Sequence, residues 1–278
     1  MTSFASQRSS KGSFSFRSLR TRPKRASSTS AGDDDEPSDA DYPYVWALRK
    51  TSVLDWEKDV PDADARRAEV KRMFALPVDV VPGEVYLGDA VCARDVARLQ
   101  SLHITHVLNA AGAAAAAPAA AYAAAGIETL VLEARDESGY PMLSEHLDAA
   151  RSFLAKARRS GGAVLVHCVQ GLNRSGVLVA ADLMLEERRS VLDAVKHCRA
   201  RRGNECVSNK TFQRDLVDLA RREDLLGPPP GAPGSAVAQE APPRPAAPAA
   251  EPPPRRASSR RRSTSLWGRL MRASSRAG

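Results

Sequence analysis

Residues 163–179 read AVLVHCVQGLNRSGVLV, a short apolar run followed by a polar loop and a second apolar run. The first run, Ala163–His167, is apolar on both faces, which predicts a central and buried strand. The loop contains Gly171, and helical periodicity begins at Ser175, a residue type suited to capping a helix. A strand, a glycine-containing loop and a helix N-terminus bring backbone N–H groups and the helix dipole to one point. The stretch therefore predicts an anion cradle that fits a phosphate group.

Two side chains of this loop carry chemistry that suits a bound phosphate. Cys168 begins the loop, where a positive local field lowers the pKa of a thiol and holds it as a nucleophilic thiolate. Arg174 lies six positions further on, and its planar guanidinium can bind two phosphate oxygens at once. Ser175 can donate a hydrogen bond to the cysteine sulfur when that sulfur leaves the phosphorus atom of a phospho-cysteine. The residues between the cysteine and the arginine, predicted to surround the phosphate, are Val169, Gln170, Gly171, Leu172 and Asn173.

A buried cysteine after a strand is more often a packing residue than a nucleophile. Here His167 precedes the cysteine, a glycine lies within the loop, a strand stands upstream and a helix downstream, and this context favours the catalytic interpretation. A phospho-cysteine mechanism also needs a general acid for the leaving group. We take Asp136, in the loop after the preceding strand, as that acid, with Glu133 and Glu137 as alternatives. The same carboxyl group would then activate the water that hydrolyses the phospho-cysteine.

Charge and composition divide the 278 residues into a packed part and two ends. Residues 1–32 contain seven Lys or Arg and residues 255–278 contain eight Arg, with no acidic residue in either stretch. Since the chain carries +8 and its two ends +15, residues 33–254 carry −7. The basic character belongs to the ends, so it does not predict a globular domain that binds nucleic acid.

Several classes of protein are excluded or disfavoured by pattern. No run of about 18 strongly apolar residues exists, so no spanning helix is predicted. The Ala-rich stretch Ala110–Ala125 is interrupted by glycine and proline and predicts a loop or a short helix. Four cysteines without C-x-x-C spacing predict free thiols in a reducing compartment and no metal site. We expect a cytoplasmic or nuclear protein, although an acid-free Ser/Arg leader also resembles an organelle transit peptide.

Four segments follow from these changes in composition. Residues 1–41 predict a disordered tail that is first basic and then acidic. Residues 42–79 are rich in aromatic residues and predict an extension that packs on the main domain, with a helix over Ala63–Leu76. Residues 80–226 predict the domain itself. Residues 227–278 predict an extended Pro/Ala-rich linker and a disordered basic tail, whose last 24 residues are either unstructured or an amphipathic helix for a membrane surface or partner.

Short β-like runs alternate with helical periodicity between residues 80 and 226, which predicts an α/β fold built around a sheet. The predicted strands are Val85–Leu87, Ile104–Asn109, Ile127–Glu133 and Ala163–His167. The predicted helices are Ala90–Leu102, Ser144–Arg159, Ser175–Glu187, Ser190–Arg201 and Ser208–Arg222.

The loop resembles the His-Cys-x5-Arg-Ser/Thr signature of the cysteine-dependent protein tyrosine phosphatase superfamily. The flanks are similar to the small atypical dual-specificity phosphatases, and the matching motifs are Tyr86-Leu87-Gly88, Ile104–Asn109, the Asp136 loop, Asn209 and Phe212. The resemblance covers about residues 80–222. It implies a central mixed, mostly parallel five-stranded sheet flanked by helices, no metal and no cofactor, and hydrolysis of phosphotyrosine and phosphoserine/threonine.

Carried onto this sequence, the resemblance implies the roles of the catalytic residues. Cys168 would be the nucleophile, Asp136 the acid and base, Arg174 the phosphate ligand and Ser175 the aid to phosphoenzyme breakdown. His167 would orient the loop and help lower the thiol pKa. Asn109 matches a family position that supports the loop by hydrogen bonding.

The resemblance also implies partners and leaves two other functions open. Phosphorylated proteins, mitogen-activated protein kinases among them, would be substrates in signalling. The charge of the basic tails, which the resemblance does not cover, predicts binding to an acidic partner or a membrane surface. Gln170 and Asn173 depart from many dual-specificity members, and Gly-x-Asn-Arg-Ser-Gly is also similar to RNA 5′-triphosphatases of the same superfamily. Those enzymes generally lack the aspartic acid, so Asp136 favours a protein substrate over nucleic acid. A phosphoprotein-binding scaffold is the third reading, against which the intact Cys168, Arg174 and Asp136 weigh.

Overall fold

The computed structural model of the protein describes residues 38–52, 62–65, 68, 74 and 76–239. Residues 1–37 and 240–278, and most of the helix predicted over residues 63–76, lie outside this described part. The structural statements below concern the described residues.

A five-stranded sheet forms the centre of the domain. Its strands are β1 (Val78–Val81), β2 (Val85–Gly88), β3 (Ile104–Asn109), β4 (Glu128–Val131) and β5 (Ala163–His167). They lie in the order β1-β2-β5-β3-β4. β1 is antiparallel to β2, and every other neighbouring pair is parallel. The predicted α/β class and the mixed, mostly parallel five-stranded sheet are therefore confirmed.

Helices cover both faces of the sheet. They are α1 (Tyr42–Lys50), α2 (Ala90–Arg94), α3 (Val96–Ser101), α4 (Ala119–Ala124), α5 (Met142–Arg159), α6 (Arg174–Glu186), α7 (Val191–Arg202) and α8 (Lys210–Arg222), and a short 3-10 turn spans Ala113–Ala115. The larger apolar cluster joins α1, α5, α6, α7 and α8 to the sheet, and a smaller cluster lies under α2, α3 and α4. β5 is buried along its whole length, as predicted for a central strand. None of the described helices is both long and apolar enough to cross a membrane.

Several element boundaries differ from the sequence prediction, most of them by one or two residues. The helix predicted over Ala90–Leu102 is two helices, because Asp95 leaves the helical conformation and its carboxylate accepts the Arg98 N–H at 3.0 Å. β4 ends at Val131, two residues before the predicted end. β1, which lies partly within the predicted extension, belongs to the sheet, and its four residues were too few to show a strand pattern.

The segments before β1 and after α8 pack on the helices of the domain. α1 buries Val45 and Leu48 and lies against α8 and α7. The Tyr44 hydroxyl donates to the Gly227 carbonyl at 3.0 Å. Lys196 donates to the Ala236 carbonyl at 3.1 Å, so the prediction of an unpacked chain immediately after Leu226 is wrong for residues 227–239.

Candidate active site

The loop 168–173 joins the central strand β5 to helix α6. Because β5 lies between β2 and β3 and runs parallel to both, its carboxyl end opens at the middle of one sheet edge. Crevices at the carboxyl ends of parallel strands are the usual ligand sites of open α/β sheets. α6 begins at Arg174, one residue before the predicted helix start, and it points its N-terminus at this edge.

The Cys168 sulfur accepts hydrogen bonds from inside the loop. The Gly171 N–H donates to Sγ at 3.2 Å, and the Ser175 hydroxyl donates at 3.4 Å. Burial raises the pKa of the Cys168 thiol, but donation from Ser175 and Leu172 and the charge of Arg174 lower it by more. The net pKa of Cys168 therefore lies below the ordinary thiol value, and the sulfur is prepared to act as a thiolate.

The carbonyl groups of the loop point away from the site. The carbonyls of four successive residues, Val169 to Leu172, accept from Ala90 N–H at 3.1 Å, Arg202 Nη2 at 3.4 Å, Arg202 Nε at 3.2 Å and Val207 N–H at 3.2 Å. In a trans peptide the N–H points opposite to the C=O. The N–H groups of the next four residues, 170–173, therefore face the side on which the sulfur lies, and they form the predicted anion cradle.

Gly171 is required at its position for two reasons. Its φ is +69°, a conformation that residues with a Cβ rarely adopt. A Cβ on Gly171 would also overlap the carbonyl oxygen of Gly88. The side chains of Val169 and Gln170 are exposed at the rim, while those of Leu172 and Asn173 are half-buried.

Arg202 supports the loop from behind and was missed by the sequence analysis. Its side chain is fully buried, lies 3.7 Å from Asp89 Oδ2, and stacks over the Phe74 ring at 4.5 Å. Sequence reasoning had no signal for it, because Arg201 and Arg202 at the end of a predicted helix are typical of an exposed, dipole-neutralising cluster.

Arg174 keeps donors available at the mouth of the cradle. Its Nη1 donates to the Ala134 carbonyl at 3.2 Å, and its Nε is buried without a hydrogen-bond partner among the described residues. A buried N–H without a partner is costly, and a phosphate oxygen would satisfy it. Ala134 lies two residues before Asp136, so the same arginine also links the cradle to the acid loop.

Asp136 is held in place by the start of α8. Its Oδ1 accepts from Asn209 Nδ2 at 2.9 Å, and the nearby Gly139 N–H donates to Thr211 Oγ1 at 2.9 Å. Of the two alternative acids, Glu137 pairs with Arg135 at 3.5 Å, and the Glu133 carboxylate lies against Gly112. Among these three carboxylates, Asp136 is the one that bonds to Asn209, whose main-chain N–H donates to Asn173 of the loop.

Two expectations from the sequence need correction. Burial lowers the pKa of His167 to about 4, so its imidazole is neutral near pH 7 and has no positive charge with which to lower the Cys168 pKa. Its Nδ1 lies 3.3 Å from the Cys168 carbonyl oxygen, a contact that fits the orienting role. The side chain of Asn109 bonds to the Gly112 carbonyl and the Ala111 N–H, so it supports the loop after β3 and not the loop of residues 168–173.

No cluster of three or more His, Cys, Asp or Glu side chains suited to a metal ion is found in the part of the chain that the structure describes. The four cysteines are free and buried. The donors gathered at the cradle are N–H groups and a guanidinium, which suit an anion.

Comparison with known proteins agrees with this geometry. The family described as "Dual specificity phosphatase, catalytic domain" matches residues 85–222. Dual specificity protein phosphatase 26 of Bos taurus is 41% identical over 145 residues, which cover 52% of this chain and 67% of the relative. Dual specificity protein phosphatase 13B of Homo sapiens is 37% identical over 147 residues, covering 52% of this chain and 73% of the relative.

Solved structures resemble about half of the chain. The crystal structure of human DUSP28 has 25% sequence identity and a TM-score of 0.47, and the match covers 53% of this chain and 95% of that one. The matched family spans strands β2 to β5, the cradle and the Asp136 loop described above. The chain therefore belongs to the dual specificity phosphatase family of cysteine-dependent protein phosphatases.

Proposed function

We propose that the protein hydrolyses phosphotyrosine and phosphoserine/threonine in other proteins through a phospho-cysteine intermediate. The observation that carries this proposal is the cradle of N–H groups at residues 170–173 around the Cys168 sulfur, whose pKa lies below the ordinary thiol value. A thiolate at the centre of such a cradle can meet a phosphate group in line with its leaving oxygen.

The first step forms a bond between sulfur and phosphorus. The Cys168 thiolate attacks the phosphorus atom, the bond between phosphorus and the side-chain oxygen breaks, and Asp136 gives its proton to that oxygen. The inward N–H groups and Arg174 hold the three remaining phosphate oxygens, because charge-assisted hydrogen bonds to an anion are strong.

The second step releases phosphate. Asp136 takes a proton from a water molecule, the water oxygen attacks phosphorus, and the sulfur leaves as a thiolate. The Ser175 hydroxyl, 3.4 Å from Sγ, donates to the sulfur as its negative charge returns. The N–H of Gly171 at 3.2 Å supports the same charge.

The test is phosphate release from a phosphotyrosine peptide, a phosphothreonine peptide and 5′-triphosphate RNA with wild type, Cys168→Ser and Asp136→Asn. We expect Cys168→Ser to abolish turnover of both peptides. Asp136→Asn should lower it roughly 100-fold or more, since general acid catalysis contributes about 10²–10⁴-fold. Hydrolysis of RNA alone, unaffected by Asp136→Asn, would instead assign the chain to RNA 5′-phosphatases, and binding without turnover would support a scaffold.

The finer assignments are proposals that rest on the family resemblance. Mitogen-activated protein kinases are the protein substrates that we propose to assay first, and signalling in the cytoplasm or nucleus is the setting that we propose. The basic stretches at 1–32 and 255–278 support binding to an acidic partner or an anionic membrane surface through their charge. Salt-dependent binding of the full chain to anionic vesicles would test that proposal.

A further inference from the structure

Asn173 is the last loop residue before Arg174, and one oxygen of its side chain collects three donors. Oδ1 accepts from the Ser208 N–H at 2.8 Å, the Asn209 N–H at 3.0 Å and the Ser208 hydroxyl at 3.2 Å. These donors come from the segment that immediately precedes α8. This one amide oxygen therefore accepts three of the hydrogen bonds that join the phosphate-binding loop to the segment before α8.

The donor segment is held in a strained conformation. Val207 has a φ of +58°, which is an outlier for a β-branched residue. Its N–H donates to the Leu172 carbonyl at 3.2 Å, and its carbonyl accepts from Arg199 Nη2 at 3.2 Å and from Gln213 Nε2 at 2.8 Å. A strained backbone conformation persists where several surrounding contacts hold it, and such residues are frequent at functional sites. As a result, three successive N–H groups, at 207–209, are directed at loop residues 172 and 173.

The same segment carries the contact to the acid loop. Asn209 donates its main-chain N–H to Asn173 and its side-chain Nδ2 to Asp136 Oδ1 at 2.9 Å and to the Glu137 carbonyl at 3.4 Å. Its Oδ1 accepts from the Thr211 and Phe212 N–H groups, which fixes the rotamer that points Nδ2 at Asp136. Asn209 thus connects Asn173 to the Asp136 carboxylate through two hydrogen bonds.

We propose that Asn173 is a positioning residue for the general acid. By accepting the N–H groups of Ser208 and Asn209, it sets where Asp136 stands relative to the Cys168 sulfur and the bound phosphate. The inference deepens the proposed function and rests on it. Arg174, the next residue, binds phosphate directly, whereas Asn173 acts on the reaction through Asn209.

The experiment compares two substrates that need the acid to different degrees. When the phenol of an aryl phosphate is strongly acidic, its phenolate leaves with little help from a proton. The tyrosine oxygen of a phosphotyrosine peptide depends on protonation to leave. For Asn173→Ala we expect kcat/KM to fall roughly 10- to 100-fold on the peptide and less than about threefold on the aryl phosphate. The matched control is Asn204→Ala, whose side chain bonds to Ser52 Oγ at 2.7 Å, and it should change neither rate more than about twofold.

Three further measurements separate positioning from general damage to the loop. On the peptide, Asn173→Ala combined with Asp136→Asn should be no slower than Asp136→Asn alone, because both changes remove the same contribution. Asn173→Ser, which restores an acceptor oxygen, should recover most of the peptide rate. The pH dependence of Cys168 alkylation by iodoacetate should match wild type in Asn173→Ala, since the cradle around the sulfur remains.

Equal loss on both substrates, or additive loss in the double variant, would overturn the proposal, because either result means that Asn173 supports the phosphate loop itself. Failure of the proposed function has a different signature. Peptide turnover that survives Cys168→Ser would overturn the phospho-cysteine mechanism, whatever the Asn173 variants show.

Discussion

Cys168 shows how competing influences on one thiol decide its reactivity. Burial alone would raise its pKa, as it does for Cys92, whose pKa is raised to about 11 mainly by burial. At Cys168, hydrogen bonds from Ser175 and from two backbone N–H groups, with the charge of Arg174, reverse that effect. Two buried thiols of one chain therefore differ in reactivity because one faces a cradle of donors and the other does not.

Ser175 should matter most when the sulfur is the leaving group. In Ser175→Ala the hydroxyl that donates to Sγ at 3.4 Å is lost, so the pKa of Cys168 rises and the phospho-cysteine breaks down more slowly. A hydrogen bond to a charged group is worth about 1.5–3 kcal/mol, which corresponds to roughly 10- to 100-fold in that step. Stopped-flow assays with an aryl phosphate should show a burst of phenolate that wild type lacks.

The control for this prediction is Ser144→Ala, which removes an exposed hydroxyl that donates to the Pro141 carbonyl at 3.2 Å. It should leave both the burst amplitude and the pH dependence of alkylation unchanged. If Ser175→Ala behaves like this control, then the Ser175 hydroxyl does not serve the sulfur.

His167 makes stability depend on pH. Its pKa is lowered from 6.5 to about 4, chiefly by burial, so the folded protein does not take up the proton that the unfolded chain binds below pH 6.5. The contribution of the neutral His167 to folding stability is therefore fully present above pH 6.5 and is lost as the pH falls towards 4. The loss is about 3 kcal/mol, at about 1.36 kcal/mol per pKa unit. Urea unfolding of wild type and His167→Asn at pH 7 and pH 4 measures this contribution.

The difference between the two proteins is the informative quantity, because Asp215 acts in the opposite direction. Burial raises the pKa of Asp215 to about 6, so its contribution to stability grows as the pH falls from 6 towards 3.8. Asp215 is present in both proteins and cancels in the comparison. A stability gap between wild type and His167→Asn that is the same at both pH values would contradict the His167 assignment.

Among the elements, α1 is attached by one buried side chain of α7. Arg199 donates to the Leu48 and Thr51 carbonyls at the end of α1, at 2.6 and 2.7 Å. It also donates to the Cys206 carbonyl at 3.0 Å and the Val207 carbonyl at 3.2 Å. Satisfied buried polar groups hold elements together strongly, because each carbonyl left without a donor is costly.

Replacing Arg199 should destabilise the domain through this junction. Arg199→Met removes the arginine donor from the Leu48, Thr51 and Cys206 carbonyls, while the Val207 carbonyl keeps its bond from Gln213. We expect the free energy of unfolding to fall by about 3–5 kcal/mol. The matched control is Lys196→Met on the same helix, which removes an exposed cation and should change stability by less than about 0.5 kcal/mol. Urea titrations of both variants measure the difference, and equal midpoints would show that the Arg199 hydrogen bonds do not stabilise this junction.

The elements around the site were predictable where local pattern dominates. Apolar runs or capping residues predict β3, β5, α7 and α8, and the structure places these elements within a few residues of the prediction. The short strand β1 was not predictable, because its four residues are held by pairing with β2. The break at Asp95 was missed although its cause is local, since aspartate is a favoured N-cap residue and accepts the Arg98 N–H here. Residues 227–239 pack because α1 and α7 offer partners that composition does not reveal.

For the molecule as a whole, the preorganised cradle predicts that tetrahedral oxyanions bind to and stabilise the folded protein. A ligand that binds the folded state alone stabilises it, by about 2.7 kcal/mol at a hundred times its Kd. We expect the melting temperature of wild type to rise with sodium tungstate and that of Arg174→Met to rise much less, since Arg174 holds unused donors at the cradle. Thermal melts over a tungstate series measure the shift.

Arg151→Met supplies the control, because Arg151 is an exposed cation on α5 that pairs with Glu186 at 3.6 Å. Its melting temperature should respond to tungstate as wild type does. An equal response of Arg174→Met and Arg151→Met would mean that tungstate binds elsewhere on the surface.

The sequence by itself determined the chemistry of the site. Cys168, Arg174 and Ser175 lie within eight residues, so a strand, a glycine-containing loop and a helix start suffice to bring them together. The continuous apolar run of β5 predicted that this loop lies at the centre of a sheet. Local spacing and backbone geometry carry this information, and both can be read along the chain.

The tertiary structure alone decided how the site is held. Arg202, Val207 and Asn209 lie 34 to 41 residues after Cys168 along the chain, and each donates hydrogen bonds to the loop or to Asp136. The structure also assigned Asn109 to another loop and left His167 without charge. These facts depend on burial and on partners distant in sequence, and no local pattern records them.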